Sequence, residues 1–205
     1  MTVRALAWDM DGTLLDSSGV VPAAYAAALV RIGGPAVSPA DVVAAYALGP
    51  PEVILGHLAG RPLTAQETEA YYDELASVSV RPYPGVARAV AVLRARGAVL
   101  AVFTGTSTRA AELLLASAGL TADLLIGGDQ IARPKPAPDG LVLAARRLGV
   151  EPGDLAYIGD APADLRAARA AGSHATAAAW GHLYDPAEPA DSVLAAPAEA
   201  LALLG

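Results

Sequence analysis

Short apolar runs bounded by turn residues recur at residues 4–8, 98–103, 124–126, 155–158, 174–178 and, more weakly, 193–194. Each has the length of a β-strand. Between them lie segments whose apolar residues fall three and four apart, such as Val86, Val90 and Leu93 ahead of Gly97, and Leu141, Ala144, Ala145 and Leu148 ahead of Gly149. That spacing predicts amphipathic helices, and the glycines stand where a left-handed cap would end them. From residue 84 onward strand and helix alternate, which predicts parallel strands joined by crossover helices in a three-layer α/β sandwich. Ligands in such sheets gather at the carboxyl ends of the strands.

Residues 17–82 break the alternation. Pro22 opens a helical stretch over residues 23–32 that stops at Gly33 and Gly34, and Ser38 with Asp41 and Thr64 with Glu67 are spaced as capping boxes. No strand-like run intervenes. The pattern predicts a small all-helical cap at residues 17–82, inserted after the first strand, with residues 1–16 and 83–205 forming the core. Arg81-Pro82-Tyr83-Pro84-Gly85 is expected to be an extended connector, because its prolines disfavour helix.

Composition narrows the function classes. With 205 residues, 54% of them hydrophobic and 17% charged, the chain carries too much apolar material and too little charge for disorder. Its net charge of −7 and lack of any Lys/Arg run argue against nucleic acid as a partner. With no cysteine, disulfides, thiolate zinc sites and cysteine nucleophiles drop out together, so a metal must be held by oxygen or histidine. Two aspartates by residue 11 come too early for a signal peptide, and no run of 18 apolar residues follows, so a cytoplasmic protein without a membrane partner is expected. Lys135 is the single lysine among 14 basic residues, and in a chain so biased toward arginine a lone lysine asks for a chemical reason.

The strand ends carry that chemistry. The first is followed by Asp9-Met10-Asp11-Gly12-Thr13, the second by Thr104-Gly105-Thr106-Ser107, and the fourth by Gly159-Asp160-Ala161-Pro162-Ala163-Asp164, while Lys135 comes after the third. In a parallel sheet these side chains converge on one edge, where the carboxylates repel one another unless a cation lies among them. An all-oxygen ligand set favours Mg²⁺. Carboxylates, Mg²⁺, a hydroxyl and an ammonium together suit a phosphoryl group. In that reading Asp9 is the nucleophile, and Asp11, carried round the turn by Gly12, is the general acid and then the base. Thr104 and backbone N–H groups near Gly12 and Gly105 bind phosphate oxygens, and Lys135 supplies a compact positive charge. Asp160 completes the metal site, and Asp164 is either an auxiliary ligand or a support for Lys135. Taken singly, these residues have ordinary readings too: a turn for Asp-x-Asp-Gly, a helix cap for Thr104, a first-turn acid for Asp164. His57, His174 and His182 are scattered and read as structural or surface residues, and the Trp180-Gly181 pair reads as core packing. Arg109 reaches either substrate or solvent.

Asp9-Met10-Asp11-Gly12-Thr13-Leu14-Leu15-Asp16, Thr104, Arg133-Pro134-Lys135-Pro136 and Gly159-Asp160-Ala161-Pro162-Ala163-Asp164 together resemble the haloacid dehalogenase superfamily of Mg²⁺-dependent phosphatases. The resemblance covers nearly the whole chain, with the four motifs in the family's order and a helical cap between the first two. It implies a Rossmann-like core, an aspartyl-phosphate route, and Mg²⁺ bound by Asp9, the backbone carbonyl of Asp11, and Asp160. Ala179-Trp180-Gly181 is similar to the phosphoglycolate phosphatase branch. Gly105 stands where many relatives carry Asn and Ala161 where they carry Ser or Thr, which leaves the nucleophile, acid/base, lysine and metal ligands in place. The expected activity is hydrolysis of a small phosphorylated metabolite, phosphoglycolate-like or a sugar phosphate, by a monomer or homodimer, with loop 48–52 over the site. A β-phosphoglucomutase-like phosphomutase is the alternative, although its cap needs basic residues and this insertion has only Arg31 and Arg61 before Arg81. A phosphorylation-controlled receiver, or a binding relative that has lost activity, is the alternative from outside the enzymes.

Overall fold

A computed structural model describes residues 3–204. In chain order the elements are β1 (Ala5–Trp8), β2 (Leu15–Asp16), α1 (Val20–Arg31), α2 (Pro39–Ala45), α3 (Pro51–Ala59), α4 (Ala65–Ser77), β3 (Arg81–Pro82) and α5 (Val86–Ala95). They continue with β4 (Ala101–Phe103), α6 (Thr108–Ser117), β5 (Leu124–Ile126), α7 (Asp139–Leu148), β6 (Leu155–Gly159), α8 (Pro162–Ala171), β7 (His174–Ala178) and β8 (Ser192–Leu194). Six of the strands form one parallel sheet in the order β5-β4-β1-β6-β7-β8. The sheet is the predicted one, and its centre is β1, flanked by β4 and β6.

Alternation along β1 explains the layers. Leu6 and Trp8 join Val102 and Ile158 in a core that takes Val86, Val90 and Leu93 of α5 and Leu114 of α6. Ala7 points the other way, with Ala101, Phe103 and Tyr157, into a second core against Leu141 of α7 and Leu165 of α8. Gly97 and Gly149 adopt the expected positive φ, 82° and 69°. The stretch predicted as a strand from residue 98 pairs only from Ala101, because its start is used to terminate α5: the Ala98 N–H donates to the Leu93 carbonyl at 3.0 Å.

Between β2 and β3 the chain is helical, as its pattern predicts, and α1 packs on α2, α3 and α4. Both capping boxes form. Asp41 N–H donates to Ser38 Oγ at 3.2 Å and Glu67 N–H to Thr64 Oγ1 at 3.2 Å, and each acid accepts the cap residue's own N–H in return. Loop 48–52 is shorter than expected, since Pro51 and Glu52 already belong to the first turn of α3. The sequence also missed the ribbon in which β2 and β3 pair antiparallel, Leu15 with Pro82 and Asp16 with Arg81. Two-residue strands are too short to show alternation. The ribbon holds the two ends of the helical segment side by side.

An ion pair also joins that segment to α6. Arg109 on α6 donates through both terminal nitrogens to Glu69 on α4, each at 2.6 Å, and its guanidinium lies 4.0 Å from the centroid of the Tyr72 ring. The solvent-facing alternative fits its half-exposed side chain, and the pairing across α4 and α6 is what that alternative did not foresee. Among the described residues no helix is long and apolar enough to cross a membrane.

The exposed box at Thr64 acts locally on α4. Thr64→Ala is expected to lower the unfolding free energy by about 1 kcal/mol, seen in urea as an earlier midpoint at unchanged slope. An unshifted midpoint would show that the box is redundant.

Candidate active site

The three central strands β4, β1 and β6 stop side by side, and the next residue of each carries a polar group: Thr104, Asp9 and Asp160. The hydrogen-bonded ladder runs right up to two of them, because Asp9 N–H donates to the Ile158 carbonyl at 2.8 Å and Thr104 N–H to the Ile126 carbonyl at 3.0 Å. Their side chains therefore leave from rigid backbone.

Lys135 reaches this edge from the loop after β5. Its Nζ donates to Asp9 Oδ1 at 2.7 Å, to Asp164 Oδ1 at 2.6 Å and to Tyr157 Oη at 3.2 Å. Asp9 and Asp164 are buried. Burial and the neighbouring charge of Asp164 push the Asp9 carboxyl well above its usual range, against the pull of Lys135. Burial opposes the charge on Lys135 as well, but the attraction of Asp164 and Asp9 outweighs it and holds the ammonium above its ordinary value. Asp164 also accepts the Ala161 N–H at 2.9 Å, at the start of α8. Asp164 supports Lys135, and it also lies within the carboxylate group that could hold a metal, so both roles the sequence left open for it stay compatible with its position.

Asp160 is held from two sides. Its Oδ1 accepts from Thr13 Oγ1 at 3.1 Å and its Oδ2 from the Leu183 N–H at 2.9 Å. Burial pushes its carboxyl upward, opposed by the hydrogen bond from Leu183. At positions 12 and 181 there is no room beside it for a side chain. Gly12 has φ +85°, and a Cβ there would lie 2.5 Å from Asp160 Oδ2; one on Gly181 would lie 2.2 Å from the Asp160 Cβ. Trp180-Gly181 thus does more than pack the core: Gly181 walls Asp160, and Trp180 Nε1–H donates to the Thr13 carbonyl at 2.9 Å. His182 also belongs here, with Nδ1 4.0 Å from Asp160 Oδ2 and 3.3 Å from Tyr83 Oη. His182 is exposed, in keeping with its reading as structural or surface, and His174 makes a structural bond, to Ser192 Oγ at 2.8 Å.

Asp11 stands on the side of the helical segment. Its carboxylate accepts from Ser17 Oγ at 2.5 Å, Thr106 Oγ1 at 2.8 Å and Thr104 Oγ1 at 3.3 Å. Thr104 in turn accepts the Thr106 N–H at 3.1 Å. Neither Ser17 nor Thr106 was singled out from the sequence, although Thr106 lies within the Thr104-Gly105-Thr106-Ser107 string. Gly105 is exposed, and a Cβ there would meet nothing within 4 Å, so sterics do not require glycine. Tyr157 was also missed, because a tyrosine in an apolar run reads as core.

Asp9, Asp160 and Asp164 each offer a carboxylate oxygen within 4.8 Å of the others, all three buried, with the ammonium of Lys135 among them. One positive charge does not balance three negative ones. The excess, carried only on oxygen, fits a hard divalent cation.

The haloacid dehalogenase-like hydrolase family model matches residues 3–172. A phosphoglycolate phosphatase of Xylella fastidiosa is 34% identical over 187 residues, 87% of this chain and 81% of that protein. A probable phosphatase IndB of Dickeya dadantii is 33% identical over 196 residues, 90% of this chain and 85% of that one. Among solved structures, CbbY from Rhodobacter sphaeroides in complex with phosphate superposes with a TM-score of 0.81 at 24% identity, over 99% of both chains. With motif order, sheet topology and the carboxylate–lysine cluster all in agreement, the chain belongs to the haloacid dehalogenase-like hydrolases.

Proposed function

We propose that the protein is a Mg²⁺-dependent phosphatase that hydrolyses a small phosphorylated metabolite through an aspartyl-phosphate. The observation that carries this is the half-buried Lys135, its ammonium bonded to both buried Asp9 and buried Asp164, with Asp160 beside them. Relatives named phosphoglycolate phosphatase, similar along most of the chain, support phosphoric monoester hydrolysis.

In this reading an Asp9 carboxylate oxygen attacks phosphorus, the bond from phosphorus to the leaving oxygen breaks, and Asp11 delivers its proton to that oxygen. Asp11 then takes a proton from water as the water attacks the same phosphorus, which releases phosphate and restores Asp9. The hydroxyls of Ser17, Thr104 and Thr106 keep Asp11 at the leaving-group side, and Thr104 with the backbone N–H groups at Gly12 and Gly105 receives phosphate oxygens. Lys135 holds Asp9 in place and faces the developing charge. Asp9, the backbone carbonyl of Asp11, and Asp160 would hold Mg²⁺, which when bound neutralises the carboxylates and polarises the phosphoryl oxygens. Residues 17–82 act as a cap that excludes water during attack, hinged at the β2–β3 ribbon.

The cap's cations weigh against a phosphomutase. Arg31 pairs with Asp73 at 2.8 Å and Arg61 with Glu67 at 2.6 Å, so both are committed to carboxylates of the same helical segment. A sugar bisphosphate would have to displace those partners.

Phosphate release should appear with Mg²⁺ from at least one member of a panel of phosphorylated small acids and sugars, and should stop on chelation. No release from any member would overturn the phosphatase reading. Asp9→Asn is expected to lower turnover more than about 10³-fold with an unchanged circular dichroism spectrum; wild-type turnover in that variant would exclude the covalent route. Lys135→Arg is expected to lose about 10²-fold in kcat despite keeping its charge, because the broad planar guanidinium does not fit a gap set by contacts of 2.7 and 2.6 Å. Near-normal kinetics would mean that the ammonium's shape is irrelevant.

A further inference from the structure

The Lys135 ammonium has three N–H bonds and three acceptors. Two are carboxylates, Asp9 and Asp164, and the third is the neutral hydroxyl of Tyr157, at 3.2 Å. Tyr157 donates its own proton to the Phe103 carbonyl at 2.8 Å, which turns the oxygen lone pairs toward the ammonium. Asp9 Oδ1 and Asp164 Oδ1 lie 3.4 and 3.5 Å from the same oxygen, too far to compete well for that proton.

The backbone explains how a residue of β6 reaches the end of β4. Ala7 of β1 pairs with Tyr157 on one side and with Ala101 on the other, and Phe103 follows Ala101 on the same face. A small residue at position 7 lets the tyrosine ring cross β1, so that its centroid lies 5.7 Å from that of Phe103. The hydroxyl emerges beneath Asp9, at the end of the strand it has crossed.

We propose that Tyr157 is a positioning residue for Lys135: it supplies the third acceptor that fixes the ammonium between Asp9 and Asp164, without adding charge to a cluster already rich in carboxylates. Burial keeps the phenol protonated, which preserves both its donor to Phe103 and its neutrality. A phenylalanine of the same shape would leave one N–H of Lys135 and the Phe103 carbonyl without this partner. The catalytic consequence rests on the phosphatase reading; the placement of Lys135 does not.

Because Lys135 is the single lysine, a protein grown with ¹⁵Nζ-lysine carries one side-chain ammonium probe, read by NMR without any turnover. In the unsubstituted protein its protons should show cross-relaxation with the ring protons of Tyr157; if none is seen, the proposal fails. Tyr157→Phe should shift the ¹⁵N signal and speed ammonium proton exchange about tenfold, while kcat falls about tenfold and KM changes less than about twofold. A folded Tyr157→Phe protein with the same ammonium signal and the same exchange rate overturns the proposal, whatever its activity. A responsive ammonium in a protein that hydrolyses no phosphate ester supports the placement and overturns the phosphatase reading instead.

Discussion

A single ammonium, that of Lys135, is inserted between two buried aspartates that arrive from different strands, and the rest of the site is arranged around it. Asp9 comes from the end of β1, and Asp164 from the first turn of the helix after β6. Buried carboxylates this close repel strongly at low dielectric, and removing the one cation from such a cluster costs several kcal/mol. The sheet can tolerate them at its edge only because the lysine is there. With Asp160 alongside, the cluster stays net negative, an all-oxygen setting that suits a hard divalent cation.

Backbone rigidity sets the distances. Asp9 and Thr104 lie one residue beyond strands whose ladder hydrogen bonds continue up to them, so little freedom remains in where their side chains begin. Asp160 is confined by different means, since Gly12 and Gly181 approach it more closely than any side chain would allow. The turn after β1 and the loop after β7 are thereby brought against one carboxylate. Tyr157 ties the same three central strands together from below.

The helical segment shares the buried apolar cluster of β1, α5 and α6 through Tyr25, Leu29, Tyr71 and Leu75. Its two ends meet in a two-residue ribbon, and across α4 and α6 it is joined by an exposed Arg109–Glu69 pair of the kind worth about 1 kcal/mol or less. Asp11 lies at this junction, and one of its three hydroxyl partners, Ser17, stands where the chain leaves β2 for α1. Its other two partners, Thr104 and Thr106, follow β4, so Asp11 is held from both sides of the junction.

The sequence by itself determined the alternating strands and helices, the order of the sheet-end motifs and the conspicuous lysine. These follow from local periodicity, turn chemistry and residue type, all of which are written along the chain. It also pointed to Asp9, Asp11, Thr104, Lys135, Asp160 and Asp164 as residues that meet, because a parallel sheet brings strand ends to one edge. What it could not carry was anything that depends on which strands are neighbours or on a side chain crossing between them. Tyr157 is core, as its apolar run suggests, but its reach to Lys135 depends on Ala7 of β1 lying beside it, and the contact of Gly181 and His182 with Asp160 depends on the loop after β7 folding against that carboxylate. Arg109 likewise acquired a partner only when α4 was laid beside α6. Each of these contacts joins residues far apart in the chain, and only the tertiary structure decides such pairs, because local propensity is blind to through-space distance.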